Sequence, residues 1–217
     1  MPVRGRLFSE GIRFAAGVAS EPTGVLTLWK TATGGKVVGC LPGTPVPELL
    51  RAAGLSPIAL ESPKDLSLVS GQVDAWLVGA DPPPFPVPMG GIPRFEFPGV
   101  PPGSLEEALD RVEALAEWAG VVSGSPASEG ALWKSIRAHA ARRRLLDALD
   151  ERRLRETAFL TPAERRDILR AGIFLPPEAH SRLISSILGN DPEPADIPAD
   201  EERGDPLLIL ARRIVDR

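Results

Sequence analysis

The spacing of apolar residues changes near residue 104. Before it, short apolar runs are bounded by Gly and Pro; after it, apolar residues recur every three or four positions. Lys36-Val37-Val38-Gly39 predicts a short buried strand that ends at a Gly/Pro turn. A helix is predicted over 47–53. Pro47 suits its first turn, Leu49, Leu50 and Ala53 supply an apolar face, and Gly54 is placed to cap its end. Residues 56–60 predict a second strand, so one short helix lies between two strands, which is the pattern of a crossover in a parallel sheet. "VDAWLVGA" (73–80) is a third strand candidate. "IPRFEF" (92–97) is a fourth, and its alternation suits an edge. The apolar run Leu26-Thr27-Leu28-Trp29 fits no one type.

Helical periodicity takes over from Ser104. "SLEEALDRVEALAEWAG" opens with Ser104 as N-cap and Glu107 three residues on, as in a capping box, and Gly120 is expected to end it. A long second helix carries Leu132, Ile136, Leu145, Leu146 and Leu149 on its apolar side. In "TPAERRDILRAG" Thr161 caps, Pro162 takes the first turn, Glu164 completes a box and Gly172 is the expected stop. "PPEAHSRLISSIL" supplies a fourth helix and "DPLLILARRIVDR" an amphipathic last one. The expected fold class is α/β: a small parallel, Rossmann-like sheet as one lobe, followed by a helical half. Residues 1–103 would form the lobe with Pro-rich loops, and 104–189 a helical region packed on it. An acidic Pro-rich linker would follow over 190–204, then a C-terminal helix over 205–217.

Composition narrows the function classes. The 217 residues are 43% apolar and 25% charged, with a net charge of −4, and there is no basic stripe with interleaved aromatics to hold nucleic acid. No window approaches the roughly 20 apolar residues of a membrane span, and the first twenty residues lack the apolar core of a secretory signal. The single cysteine fits a reducing cytoplasm. It cannot by itself build a thiolate zinc site or an iron–sulfur cluster.

That cysteine, Cys40, lies between the first strand and the helix at Pro47. A reactive thiolate wants a helix N-terminus or a cation beside it, and Cys40 is several residues short of the helix. Its candidate base partners, His139 and His180, are both in the helical half. The plainer reading is a small apolar residue at a strand end. Gly39, Gly43 and Gly54 match neither phosphate-binding fingerprint. A strand–loop–helix unit nevertheless turns backbone N–H groups toward whatever sits above the strand ends. The 41–48 loop, with Cys40, Gly43, Thr44 and Glu48, is therefore either the ligand-facing surface or a stiff loop packed by another subunit. Glu48 is a general acid or base if buried, and otherwise a complement to the helix dipole. Arg142, Arg143 and Arg144 point in different directions on a helix, so most would be solvated or paired with Asp147 or Asp150. The two histidines are read as helix-surface or interface residues rather than metal ligands.

In "VVGCLPGTPVPELLRAAGLSPIAL" the order strand, Gly, cysteine loop, Pro-Glu-leu-leu-x-Ala-Ala-Gly-leu-x-Pro resembles subunits of the 2-hydroxyacyl-CoA dehydratase and benzoyl-CoA reductase family. "ALAEWAGVV", "ALWKSIRAHAARRRLLDALDERR" and "RDILRAGIFLPPEAHSRLI" follow in the family's order, so the likeness is collinear over most of 34–184. Even "GDPLLILARRIVDR" is similar to a piece of the family's second lobe. The family implies two such lobes, nearly twice this length, holding a four-iron cluster on three cysteines. With Gly39 and Glu48 aligned without a gap, the first cluster cysteine falls at Pro42 rather than Cys40. The second falls in "DPPPFP", and the third beyond Arg217. The family's helix Asn is Ala140, while its Arg is kept as Arg143.

The resemblance implies a cluster-less accessory subunit that docks on an unlike protein chain, active, if at all, as a dehydratase-like lyase or reductase within a complex. No cofactor is expected on this chain; an iron–sulfur cluster would require a partner's ligands, with Cys40 contributing. The docking surfaces would be 81–103 and the last helix through Leu207, Leu208, Leu210 and Ile214. An alternative keeps a ligand: acyl-CoA or another small acid at the 41–48 loop, with Arg143 as a CoA or anion contact. A third reading is a Cys40-dependent enzyme. Nucleic acid and membrane are not expected partners.

Overall fold

The computed structural model describes residues 3–42, 44, 47–79, 85–87, 90–98 and 102–189. Gly43, much of the 81–103 segment, the 190–204 linker and the C-terminal helix with Leu207, Leu208, Leu210 and Ile214 lie wholly or partly outside them.

The α/β class holds. Strands β1 (Lys36–Cys40), β2 (Leu55–Ala59), β3 (Ala75–Gly79) and β4 (Arg94–Phe97) form one parallel sheet in the order β2-β1-β3-β4. Helix α3 (Pro47–Ala52) joins β1 to β2, with Gly54 beyond it at φ +79, where a side chain would be strained. Helix α4 (Pro63–Val69) and one 3-10 turn, Ser70–Gln72, return the chain to β3 on the other side of β1. As its alternation suggested, β4 is an edge strand.

One face of this sheet is closed by helix α5 (Leu105–Ser123), by α3 and by the start of helix α6 (Glu129–Arg155). Val38, Leu55, Ala75 and Leu77 meet Leu49, Leu50 and Ala53 there. Val112, Leu115, Ala119 and Val122 complete the layer with Leu132 and Ile136. Each Val, Leu or Ile among them contributes about 1.5–3 kcal/mol by leaving water. Val37, Ile58 and Trp76 are also fully buried, so the strands read as continuous apolar runs rather than alternating ones.

Two expectations for α5 are corrected. The Ser104 hydroxyl accepts from the Glu107 N–H at 3.1 Å, but the Glu107 carboxylate accepts from Gly103 N–H at 2.7 Å instead of from the capping residue. Gly120 is inside the helix; the end falls at Gly124, which adopts φ 81. Nor does the chain divide at residue 104. One compact unit comprises residues 26–136, so α5 belongs with the sheet; the other joins residues 3–25 to 137–189, with α6 running through both.

The second unit holds helix α1 (Val3–Ser20), the later part of α6, α7 (Pro162–Phe174) and α8 (Pro177–Leu188). The N-terminal segment, to which sequence reading assigned no element, is an 18-residue helix. The run at Leu26 is also helical, within α2 (Thr23–Thr33). The Thr161–Glu164 capping box forms in full, whereas Gly172 does not stop α7, which continues to Phe174. No helix among the described residues is long and apolar enough to cross a membrane.

Candidate functional site

The strand order reverses at β1, so the loop after β1 lies at the crevice where open parallel sheets place ligands. Three backbone bonds fix its entry. Leu60 N–H donates to Cys40 O at 2.8 Å, Leu41 N–H donates to Leu77 O at 3.0 Å, and Thr44 N–H donates to Leu41 O at 3.3 Å. The Thr44 hydroxyl donates to the same Leu41 carbonyl at 2.7 Å, so it closes a turn. Pro42 is exposed.

Cys40 is partly buried at the end of β1. It packs against the apolar cluster beneath the loop, and its Sγ lies 3.7 Å from Val38 O. Burial pushes the thiol up to about 12, against a smaller opposing pull from the Ile58 backbone. A thiol so placed is neither a nucleophile nor a ready metal ligand. Glu48 is buried in the first turn of α3, although that helix is only six residues long.

The other candidates lie elsewhere. Arg143 is exposed on α6, in the compact unit that does not contain the loop. Its neighbour Arg142 reaches inward and donates to Gly172 O at 3.3 Å. The reading of the histidines as surface residues is overturned: His139 is 6% exposed and His180 1%. His180 Nε2 lies 2.9 Å from Ile168 O, which can only accept, so Nε2 carries the proton. Its Nδ1 is buried without a hydrogen-bond partner. Burial pushes the imidazole down to about 4; the Ile168 bond opposes that shift and the Arg142 charge adds to it. Their spacing carried the signal. His180 precedes Leu183, Ile184, Ile187 and Leu188, and His139 falls between Ile136 and Leu149, each in step with a buried stripe.

Sequence reading also missed an ion pair at the opposite end of the strands. Asp74 accepts from Val37 N–H at 2.8 Å and from Lys30 Nζ at 2.9 Å, and Lys30 also donates to Gln72 O at 3.1 Å.

An iron–sulfur cluster does not fit the residues at the start of this loop, because Pro42 has no ligand atom and the neighbouring Cys40 thiol packs against the core with its proton held. Among the described residues no three His, Cys, Asp or Glu side chains are gathered as a metal site. No protein-family model matches the chain, and no curated protein matches it either.

Proposed function

We propose that this chain is a non-catalytic, accessory relative of the 2-hydroxyacyl-CoA dehydratase and benzoyl-CoA reductase subunits, docking on an unlike chain that carries the cluster chemistry. The observation that carries the reading is the state of Cys40. It ends β1, just before the loop the family uses for its cluster, and its thiol packs against the core with its proton held. The parallel order β2-β1-β3-β4, with that loop at the point of reversal, supports a retained scaffold without retained ligands.

Native mass spectrometry on protein purified from its own host without oxygen tests this. The expected species contains this chain, an unlike chain of the dehydratase or reductase type, and iron carried by that chain. A species made of this chain alone, whether monomer or dimer, without iron, overturns the reading.

A further inference from the structure

We propose that two copies of this chain pair antiparallel through the outer edges of β4, about a two-fold axis at Phe95, giving one continuous eight-stranded sheet. The first argument is the phase of the strand. Trp76 N–H donates to Pro93 O at 2.8 Å, and the register sets Leu77 opposite Phe95. In a parallel ladder the backbone groups of alternate residues point the same way, so those of 93, 95 and 97 face β3. The backbone groups of Arg94 and Glu96 therefore face outward, and among the described residues no strand lies beyond β4.

The second argument is charge. In an antiparallel pair centred on Phe95, Arg94 of one copy stands opposite Glu96 of the other, and the reverse holds across the axis. Each of those two pairs exchanges both backbone hydrogen bonds. Arg94 and Glu96 already form an exposed ion pair within one strand at 3.1 Å; in the dimer each exchanges that partner for its counterpart across the axis. Edge strands that repel a second copy carry like charges, commonly lysines. This edge instead alternates opposite charges two residues apart and so complements itself. Pro98 takes the next outward position and has no N–H, which ends the ladder there. On the other face the Phe95 ring packs against Trp118, centroids 5.6 Å apart, and meets its own copy at the axis.

Sedimentation equilibrium over a concentration series reads the association, and charge reversal tests its register. Glu96→Arg alone sets Arg against Arg twice and should weaken the dimer by at least about tenfold. The exchanged variant R94E/E96R restores the pairing and should return the constant to within about threefold of the parent. Independently, Phe95→Cys should link two chains on oxidation, because residues facing at such an axis have Cα atoms about 4.5 Å apart, within disulfide range. Glu96→Cys, offset from its own copy, should not. A parent that stays monomeric to about 0.5 mM, a constant insensitive to Glu96→Arg, or linkage at 96 rather than 95 would overturn the proposal. Because β4 lies within the 81–103 segment expected to dock an unlike chain, the measurement uses this chain alone, so its outcome does not decide whether an unlike chain binds.

Discussion

Trp76 of β3 lies flat against Gly39 of β1: a Cβ on Gly39 would fall 2.3 Å from the indole Cζ3 and 2.6 Å from Cε3. The indole is fully buried and cannot swing out. Gly39→Ala should therefore cost about 3 kcal/mol, the upper end of overpacking, read as a lower urea midpoint at unchanged slope. Gly71→Ala is the control, since nothing lies within 4 Å of its added carbon and its backbone is unstrained; it should shift stability by less than about 0.5 kcal/mol. Equal, small effects at both sites would mean that the Trp76–Gly39 packing is not what fixes this pair of strands.

Cys40 should behave as a thiol that has lost its chemistry to burial. With the folded thiol pushed up to about 12, its thiolate fraction at about pH 8 is on the order of 10³-fold below that of a free cysteine. Labelling with a chromogenic disulfide should be slower by a comparable factor in the folded protein and become rapid in urea. A folded-state rate equal to that of a free thiol would exclude the packing role assigned to Cys40 and revive it as a working group.

His180 sets the direction of a pH dependence. The imidazole edge sits where a Cβ of Gly172 would be, 2.3 Å from Cε1, so α8 approaches α7 only because residue 172 is glycine. The neutral ring is the folded form, with its pKa depressed to about 4 from an unfolded 6.5. Between those values the unfolded chain binds the extra proton, so stability is full above about pH 6.5 and is lost as pH falls toward 4. Roughly 2 kcal/mol should disappear between about pH 7.5 and pH 5, seen in urea midpoints. His180→Gln should be less stable at neutral pH and show a flatter profile; an unchanged slope would assign the acid sensitivity to other groups.

What the sequence disclosed, and what it did not, follows from where the signals lie. Strands β1 to β4 and the parallel sense of the sheet were legible because Gly and Pro bracket short apolar runs, with one helix between the first two; the order β2-β1-β3-β4 was not. Gly120 and Gly172 were misread as stops because a helical glycine looks the same whether it ends a helix or admits a neighbour. A Cβ on Gly120 would meet Pro126 Cα at 3.4 Å and one on Gly172 would fall 2.3 Å from His180 Cε1, contacts that exist only in three dimensions. Helix α1 went unassigned because three glycines, Gly5, Gly11 and Gly17, interrupt its apolar pattern. Gly11 is there because Ile187 of α8 packs against it, a carbon built at that position coming within 2.9 Å of Ile187 Cγ1. At the candidate site, the likeness to a cluster loop was visible in the residues. The inward turn of Cys40 was not, since alternation along a doubly buried strand does not say which face a side chain takes.

Asp74 joins two functions that substitution can separate. Its Oδ2 accepts the backbone N–H of Val37, a fully buried residue at the start of β1, and the Lys30 ammonium meets both oxygens, at 2.9 Å from Oδ1 and 2.8 Å from Oδ2. Asp74→Ala leaves that N–H without its acceptor and should cost about 2 kcal/mol. Asp74→Asn keeps a carbonyl oxygen for Val37 and loses the charge and one of the two acceptors facing Lys30. Both partners of that ion pair are about 30% exposed, so its loss should cost under about 1 kcal/mol and shrink further in high salt. Urea midpoints of the two variants at low and high salt check this. If Asp74→Asn costs as much as Asp74→Ala and salt narrows the deficit, the ion pair rather than the hydrogen bond anchors β1 at its first residues.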